Sequence, residues 1–360
     1  AAVTSRLGLG STASTTYYEP FHVARTMQTL DLMSAGRAAW NVVTSLNDGE
    51  AANMGHDEMM EHDRRYDRAD EFVEIVLGHW DAWDPDALIV DKASGRFADG
   101  DKVRRLDYRG QFLKSRGPFT VPRSPQGRPV VIQAGSSGRG KRFSARWAEL
   151  VFVAYHDVAS GAKEYAEFKH MIAEAGRNPD HVKVATLISP ICAATKAEAE
   201  DKAALIASLP LEIDALSLLS EALNFDFASK GMDEAFSDEE MASMQGLQAI
   251  RDRVVRNTGK KNPTVREFIN GSGRGRPNMN MVGGPKEIAD LVPCGCYIDG
   301  RAYETPAALD AFLRTIDDAA YRGYQERIRA FLLSEQAKPF SQDHFADVLA
   351  REILADLAAR

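Results

Sequence analysis

Residues 129–154 read PVVIQAGSSGRGKRFSARWAELVFVA, and this stretch decides the fold. Pro129–Gln133 is a short apolar run ending on an amide, the pattern of a strand covered on both faces. AGSSGRG follows as a turn dense in glycine and serine. Lys141–Glu149 then predicts a helix, and Leu150–Ala154 (LVFVA) a second buried strand. A strand, a Gly-rich turn, a helix and another strand form a βαβ unit, whose strands lie parallel because the crossover returns the chain to its starting edge.

The same alternation extends in both directions. Arg6–Ser11 (RLGLGS) predicts a strand, and Phe21–Leu32 a helix with Val23, Met27 and Leu30 at helical spacing. Ala38–Ser45 (AAWNVVTS) predicts a strand that turns polar at its end. In His62–Trp80 the residues Tyr66, Ala69, Phe72, Val73, Val76, Leu77 and Trp80 fall on one stripe of an amphipathic helix. Downstream, a helix is expected over Ala162–Ala175 and a strand over Val182–Ile188. Residues 84–128 are polar and rich in Gly, Pro and Asp, which predicts a long excursion carrying a hairpin. Residues 196–256 read as a solvated helical insertion from their acidic and alanine content. Residues 258–280 (TGKKNPTVREFINGSGRGRPNMN) read as a basic loop, since GSGRGR lacks the strand-then-helix setting of a phosphate cradle.

At 360 residues the chain has room for one α/β barrel. Net charge is −8 and spread along the sequence, which argues against a nucleic-acid surface. No apolar run approaches the roughly 18 residues that span a bilayer. Cys192, Cys294 and Cys296 are too few for a disulfide framework, so a reducing cytoplasm is the expected setting. Cys294 and Cys296 lack the further ligands of a structural zinc site, and the run His56–Asp63 lacks HExxH spacing, so no metal is expected. The start at Ala-Ala-Val-Thr, without an initiator Met, reads as the interior of a longer protein.

In a parallel α/β barrel the working groups sit at the C-terminal ends of strands. Three predicted strands end in hydrogen-bonding residues: the first in Thr12, Ser14, Thr15 and Thr16, the second in Asn41, Thr44 and Ser45, the third in Gln133, Ser136 and Ser137. Such groups suit a polar ring system or a phosphate. AGSSGRG can aim backbone N–H groups and hydroxyls at a phosphate beside a helix N-terminus, with Arg139 and Lys141 adding positive charge; a plain βα turn explains the glycines equally well. His62 and Tyr66, four apart, share a helix face and can donate into a pocket, although a histidine paired with neighbouring acids explains His62 as readily. No G-x-S-x-G elbow is present.

The strings RLGLGSTASTTYYEPFHVARTMQTLDLMSAGRAAWNVVTS, EHDRRYDRADEF and GPFTVPRSPQGRPVVIQAGSSGRGKRFSARWAELVF occur in that order. Together they resemble the nitrilotriacetate monooxygenase group of the bacterial-luciferase-like flavin monooxygenases. NDGEAANMG and DALIVDKASGRFADGDKV bring the likeness nearest to the dibenzothiophene-sulfone type, and it covers residues 1–290. The resemblance implies a TIM-type (β/α)8 barrel, here incomplete with its first two strands missing. It implies reduced FMN (FMNH2) supplied by a separate NAD(P)H-dependent flavin reductase, O2 as co-substrate, and oxygenation of a small organic, organosulfur or related xenobiotic substrate by a homo-oligomer. Carried over by resemblance are Thr44, Ser45 and Tyr66 as flavin contacts, Ser136 and Ser137 as phosphate contacts, and His62 as a further candidate; no catalytic residue is assigned. Residues 291–360, CGCYIDGRAYETPAALDAFLRTI and beyond, depart from that pattern and resemble the C-terminal tail of family 10 fucosyltransferases, without a nucleotide-sugar site. A non-catalytic remnant of such a monooxygenase is the alternative expectation.

Overall fold

The structure, a computed structural model, describes residues 7–135, 137–155, 158–187, 189–272 and 280–283, with four single positions at 323, 326, 327 and 330. Its elements in chain order begin with β1 (Leu9–Ser14), α1 (Pro20–Met33), β2 (Ala38–Val43), α2 (Asp48–Asn53) and α3 (His62–Trp80). Four short strands follow: β3 (Leu88–Asp91), β4 (Arg96–Ala98), β5 (Tyr108–Arg109) and β6 (Lys114–Ser115). Next come β7 (Val130–Gln133), α4 (Gly138–Trp147), β8 (Leu150–Val153), α5 (Val158–Glu174), β9 (Lys183–Thr186) and β10 (Ser189–Cys192). The remainder comprises α6 (Lys196–Ser208), α7 (Glu212–Leu223), α8 (Asp238–Ser243), α9 (Gln248–Thr258), α10 (Val265–Gly271) and β11 (Asn280–Gly283).

The chain divides into two compact units. The first holds residues 1–153, 171–185 and 211–274, and the second holds 154–170, 186–210 and 275–360. Within the first, five strands form a sheet in the order β1-β2-β7-β8-β9, so each pairs with its successor among the barrel-type strands. The ladders β1/β2, β2/β7 and β7/β8 are parallel, as the βαβ reading requires. Their register sets Ser14 beside Val43, Val42 beside Gln133, and Gln133 beside Val151. The polar residues that close β1, β2 and β7 therefore meet along one edge of the sheet, where a TIM-type barrel keeps its chemistry.

The core beneath that edge is aromatic, and its polar handles are satisfied. Trp40, Phe72, Trp80 and Phe143 are essentially inaccessible to solvent. The indole nitrogens of Trp40, Trp80 and Trp83 donate to the carbonyls of Ala13, Ala24 and Phe119 at 3.1, 3.0 and 2.8 Å. The excursion over residues 84–128 folds against this core, with two small hairpins, β3/β4 and β5/β6, and with Leu113 and Phe119 buried. Glu71 on α3 pins it: the carboxylate accepts the backbone N–H groups of Gln111, Phe112 and Leu113 at 2.6, 2.9 and 2.9 Å. Gly110 is required at this approach, since a Cβ there would lie 2.2 Å from Glu71 Oε2.

Two expectations are corrected. The stretch read as a solvated helical insertion contributes to a dry core: its Phe227 and Phe236 pack with Phe268 beyond it, ring centroids 5.1–5.3 Å apart, beside Leu219, Leu223 and Val254. Its acidic residues describe the outer helix faces, while Ala199 and Ala222 are buried. The stretch read as a loop over 258–280 contains α10, started by a capping box between Thr264 and Glu267. Smaller differences sit at boundaries: β1 runs three residues later than expected, and α4 begins at Gly138, so two glycines of AGSSGRG lie within its first turn. The second unit holds the parallel pair β10/β11, with α6 capped by Thr195 and Glu198. The fucosyltransferase-like tail, residues 291–360, with Cys294 and Cys296, lies outside the described residues save for positions 323, 326, 327 and 330. Among the described residues no single helix is long and apolar enough to cross a membrane.

His79 gives the fold a pH dependence. It is fully buried between the rings of Phe21 and Phe119, its Nε2 sits 2.6 Å from Ser115 Oγ, and its Nδ1 has no partner. Burial lowers its pKa from 6.5 to about 4. The unfolded chain then binds a proton that the native state refuses, so stability is full above pH 6.5 and falls as pH drops toward 4. His79→Phe is expected to remove from the urea-unfolding profile a slope amounting to about 3 kcal/mol across that window.

Candidate functional site

The site is built where β1 and β2 end. Beyond the ladder the two strands stay zipped by two threonines: the backbone Thr15 N donates to Val43 O at 2.8 Å, and the Thr16 hydroxyl to Thr44 O at 2.8 Å. Ser14 Oγ and Ser45 Oγ lie 2.6 Å apart, and Ser45 Oγ donates to Glu50 Oε1 at 2.8 Å. Ser45 adopts a left-handed backbone, φ +63°, as the chain leaves β2, and its side chain is buried.

Glu50 is carried on α2, a helix the sequence reading passed over in NDGEAAN. Asn47 caps it by accepting Glu50 N at 2.9 Å. Asp48 then ties it down twice. Its Oδ1 accepts Met59 N at 2.8 Å, and its Oδ2 accepts Asn224 Nδ2 at 2.9 Å, while Asp48 N donates to Asn224 Oδ1 at 3.1 Å. Asn224 ends α7 in a left-handed conformation that presents its amide to Asp48. A second tie runs from Arg65 on α3, whose Nη2 donates to Gln245 O at 2.9 Å. Arg65 is buried, and its Nε has no partner.

From α3, Tyr66 reaches across to the ends of β2 and β7. Its phenol lies among the side chains of Thr44, Ser137 and Gln133, and burial, opposed by those polar neighbours, holds its pKa above the usual tyrosine value. The turn after β7 closes around this hydroxyl. A Cβ at Gly140 would lie 2.8 Å from Tyr66 Oη and 3.0 Å from Ser137 Oγ, and one at Gly135 would lie 3.0 Å from Tyr66 Oη. Ser137 is the N-cap of α4, its Oγ accepting Gly140 N at 3.0 Å. Gln133 Oε1 accepts from Gly135 N and Ser144 Oγ, which fixes the amide.

Thr44, Tyr66 and Ser137 thus converge on one point, and Ser45 adjoins them through the residue before it. His62 stacks edge-on against Tyr66 at 5.2 Å, and its Nδ1 is 2.7 Å from Asp63 Oδ1, which is the pairing with a neighbouring acid that the sequence left open. Burial lowers the His62 pKa, with Asp63 opposing the shift. Ser136 lies outside the described residues. Arg139 corrects an expectation: rather than offering charge to a phosphate, it sits over the Tyr66 ring at 5.4 Å and ion-pairs with Asp70 and Asp67 at 2.6 and 3.1 Å. Residue-level reading missed Glu50, Arg65 and Tyr17. The Tyr17 hydroxyl is buried without a partner, and burial followed by the Glu50 charge raises its pKa. Among the described residues no group of three or more His, Cys, Asp or Glu side chains is arranged to hold a metal ion.

A parallel α/β sheet with hydroxyl-rich strand ends and a Gly-lined strand-to-helix turn defines a barrel-type enzyme scaffold. Residues 1–291 match the sequence family described as luciferase-like monooxygenase, and the chain belongs to that family. It is 48% identical over 255 residues to dibenzothiophene-sulfone monooxygenase of Rhodococcus erythropolis, covering 71% of this chain and 55% of that protein. It is 38% identical over 291 residues to nitrilotriacetate monooxygenase component A of Aminobacter aminovorans, covering 81% of this chain and 64% of the relative. The chain therefore spans less than two thirds of the length of either relative. Among solved structures it superposes on a riboflavin lyase, crystallised with modified FMN and riboflavin, with a TM-score of 0.72 and 31% identity, covering 91% of this chain and 72% of that one.

The close approach around Tyr66 sets an expected outcome. Gly140→Ala should destabilise the chain by about 2 kcal/mol, because neither the ring nor the Gly135 backbone can retreat freely. Gly138→Ala, whose Cβ would meet nothing nearer than Arg142 Nη1 at 3.9 Å, should be neutral or stabilising. Urea denaturation of the two variants compares them; equal destabilisation would remove Tyr66 from the packing of this turn.

Proposed function

We propose that this chain carries the flavin-binding part of an FMN-dependent, two-component monooxygenase, which takes reduced FMN from a separate NAD(P)H-dependent flavin reductase and, with O2, oxygenates an organosulfur or related xenobiotic substrate. The observation that supports it most directly is the convergence of the Thr44, Tyr66 and Ser137 side chains at the mouth of a parallel sheet.

The donor set fits a flavin nucleotide. Neutral hydroxyls on Thr44, Tyr66 and Ser137 can pair with ring carbonyls, ring nitrogens or phosphate oxygens, and Ser45 can accept from a ring N–H, none of them imposing a fixed charge. The Gly135–Gly140 turn opens the ten-residue helix α4, where backbone N–H groups and the helix dipole favour a phosphate. With Arg139 committed to Asp67 and Asp70, that phosphate would be held by hydroxyls and backbone rather than by an ion pair. Ser137 and Tyr66 would hold the phosphate end, and Thr44 and Ser45 the ring. The bound reduced flavin would supply the two electrons and the activation of O2. The residues of this chain bind, orient and exclude water: the buried aromatic floor of Trp40, Phe72 and Phe143 keeps the inner side of the site dry.

The organosulfur class is supported by the dibenzothiophene-sulfone relative, and the separate reductase by the relative named as component A. Tyr66→Phe and Ser137→Ala should each weaken FMN binding about tenfold, read from quenching of flavin fluorescence. With a reductase present, dibenzothiophene sulfone should gain oxygen from O2. Binding without turnover would leave the flavin site and reject the activity for this chain. Absence of stoichiometric FMN binding would reject both.

A further inference from the structure

We propose that Glu50 selects the redox form of the flavin by fixing which way the Ser45 hydroxyl points; this rests on the flavin reading above. A serine hydroxyl has one proton to give. Ser45 Oγ gives its proton to Glu50 Oε1 at 2.8 Å, since a carboxylate oxygen only accepts. The 2.6 Å contact between Ser14 and Ser45 must then be Ser14 donating. Thr16 N, donating to Ser14 Oγ at 3.1 Å, completes the same direction. The chain runs from Thr16 N to Ser14 to Ser45 to Glu50, and every proton in it is spent.

Ser45 therefore meets a ligand as an acceptor alone. Oxidised isoalloxazine carries unprotonated nitrogens at N1 and N5, which are acceptors too, and a lone pair facing a lone pair is unfavourable. Reduction adds a proton at N5 and turns that position into a donor. A wall that only accepts discriminates between the two forms through the partner left unsatisfied, the same way that a site built for a hydrogen bond rejects an analogue lacking it. The carboxylate is held in place for this. Asn47 caps its helix, and Asp48, two residues before it, is clasped by Met59 N and Asn224. Ser45 itself is only 5% exposed and leaves its strand in a left-handed backbone that fixes where its side chain emerges. Glu50 acts through Ser45 and is a positioning residue.

The test is equilibrium titration of the full chain with oxidised FMN and, under anaerobic conditions, with chemically reduced FMN. The unmodified chain should bind reduced FMN more tightly. Glu50→Leu removes the acceptor and frees the Ser45 proton for the ligand, so the ratio of the two dissociation constants should move toward oxidised FMN by about tenfold. A merely structural role would weaken both forms alike. Ser45→Ala leaves the Glu50 charge in place and deletes only the hydroxyl. It should erase the preference by a similar factor and leave Glu50→Leu with no further effect on the ratio. If the unmodified chain binds neither form, the flavin reading falls and takes this inference with it. If both forms bind and the ratio is unchanged in Glu50→Leu and Ser45→Ala, the flavin site stands and the selection by Glu50 is overturned. Should Glu50→Leu not fold, Ser45→Ala decides alone.

Discussion

The Tyr66 phenol is the contact on which the arrangement of this edge depends. It leaves α3, passes beneath the Arg139 guanidinium, and ends among Thr44 after β2, Gln133 at the end of β7 and Ser137 at the start of α4. Three elements that the chain makes separately are thereby held to one buried oxygen. The glycines at 135 and 140 follow from the same constraint, since the turn must close over an oxygen that leaves no room for a methyl group. Arg139, drawn over the ring and toward Asp67 and Asp70, follows from it as well.

Much of this architecture was legible in the residues. Short apolar runs ending in Thr, Ser or Gln are unambiguous when they alternate with helices, and β2, β7, β8 and α3 fall within a residue or two of where periodicity puts them. The convergence of Thr44, Tyr66 and Ser137 was also foreseeable, because polar strand ends in a parallel sheet share an edge. What the residues concealed lies in pairings distant along the chain. Glu50 looks like one more acid in a polar loop until α2 forms and Ser45 turns to meet it. Arg139 looks like a phosphate ligand until Asp67 and Asp70, one helical turn apart on α3, are seen to face it. In Phe225–Phe268 the aromatics are too widely spaced to show a period, so their common core was invisible in one dimension.

The two long departures from simple βα alternation serve the site in different ways. Residues 84–128 brace the outside of α3 through Glu71 and Tyr108, which donates to Glu74 Oε2 at 2.6 Å. That bracing stiffens the helix bearing His62 and Tyr66. Residues 211–271 carry their own aromatic core and reach the site through polar ties, Asn224 to Asp48 and Gln245 to Arg65 and His62. Such ties are directional and short, and they transmit position without adding apolar burial.

The Asn224–Asp48 clasp has a bearing on the order in which the molecule comes together. Its partners stand 176 positions apart. Contacts of such span carry a large entropic cost of ring closure, which is recovered only once the intervening chain has ordered. As the polypeptide emerges from the ribosome, β1, β2 and α3 can associate early through local apolar contacts. The acidic helix that orients Ser45 takes its final seat only when α7 has formed and brought Asn224 to Asp48. The Ser45–Glu50 pair is thus completed late in assembly, after the framework around it has set.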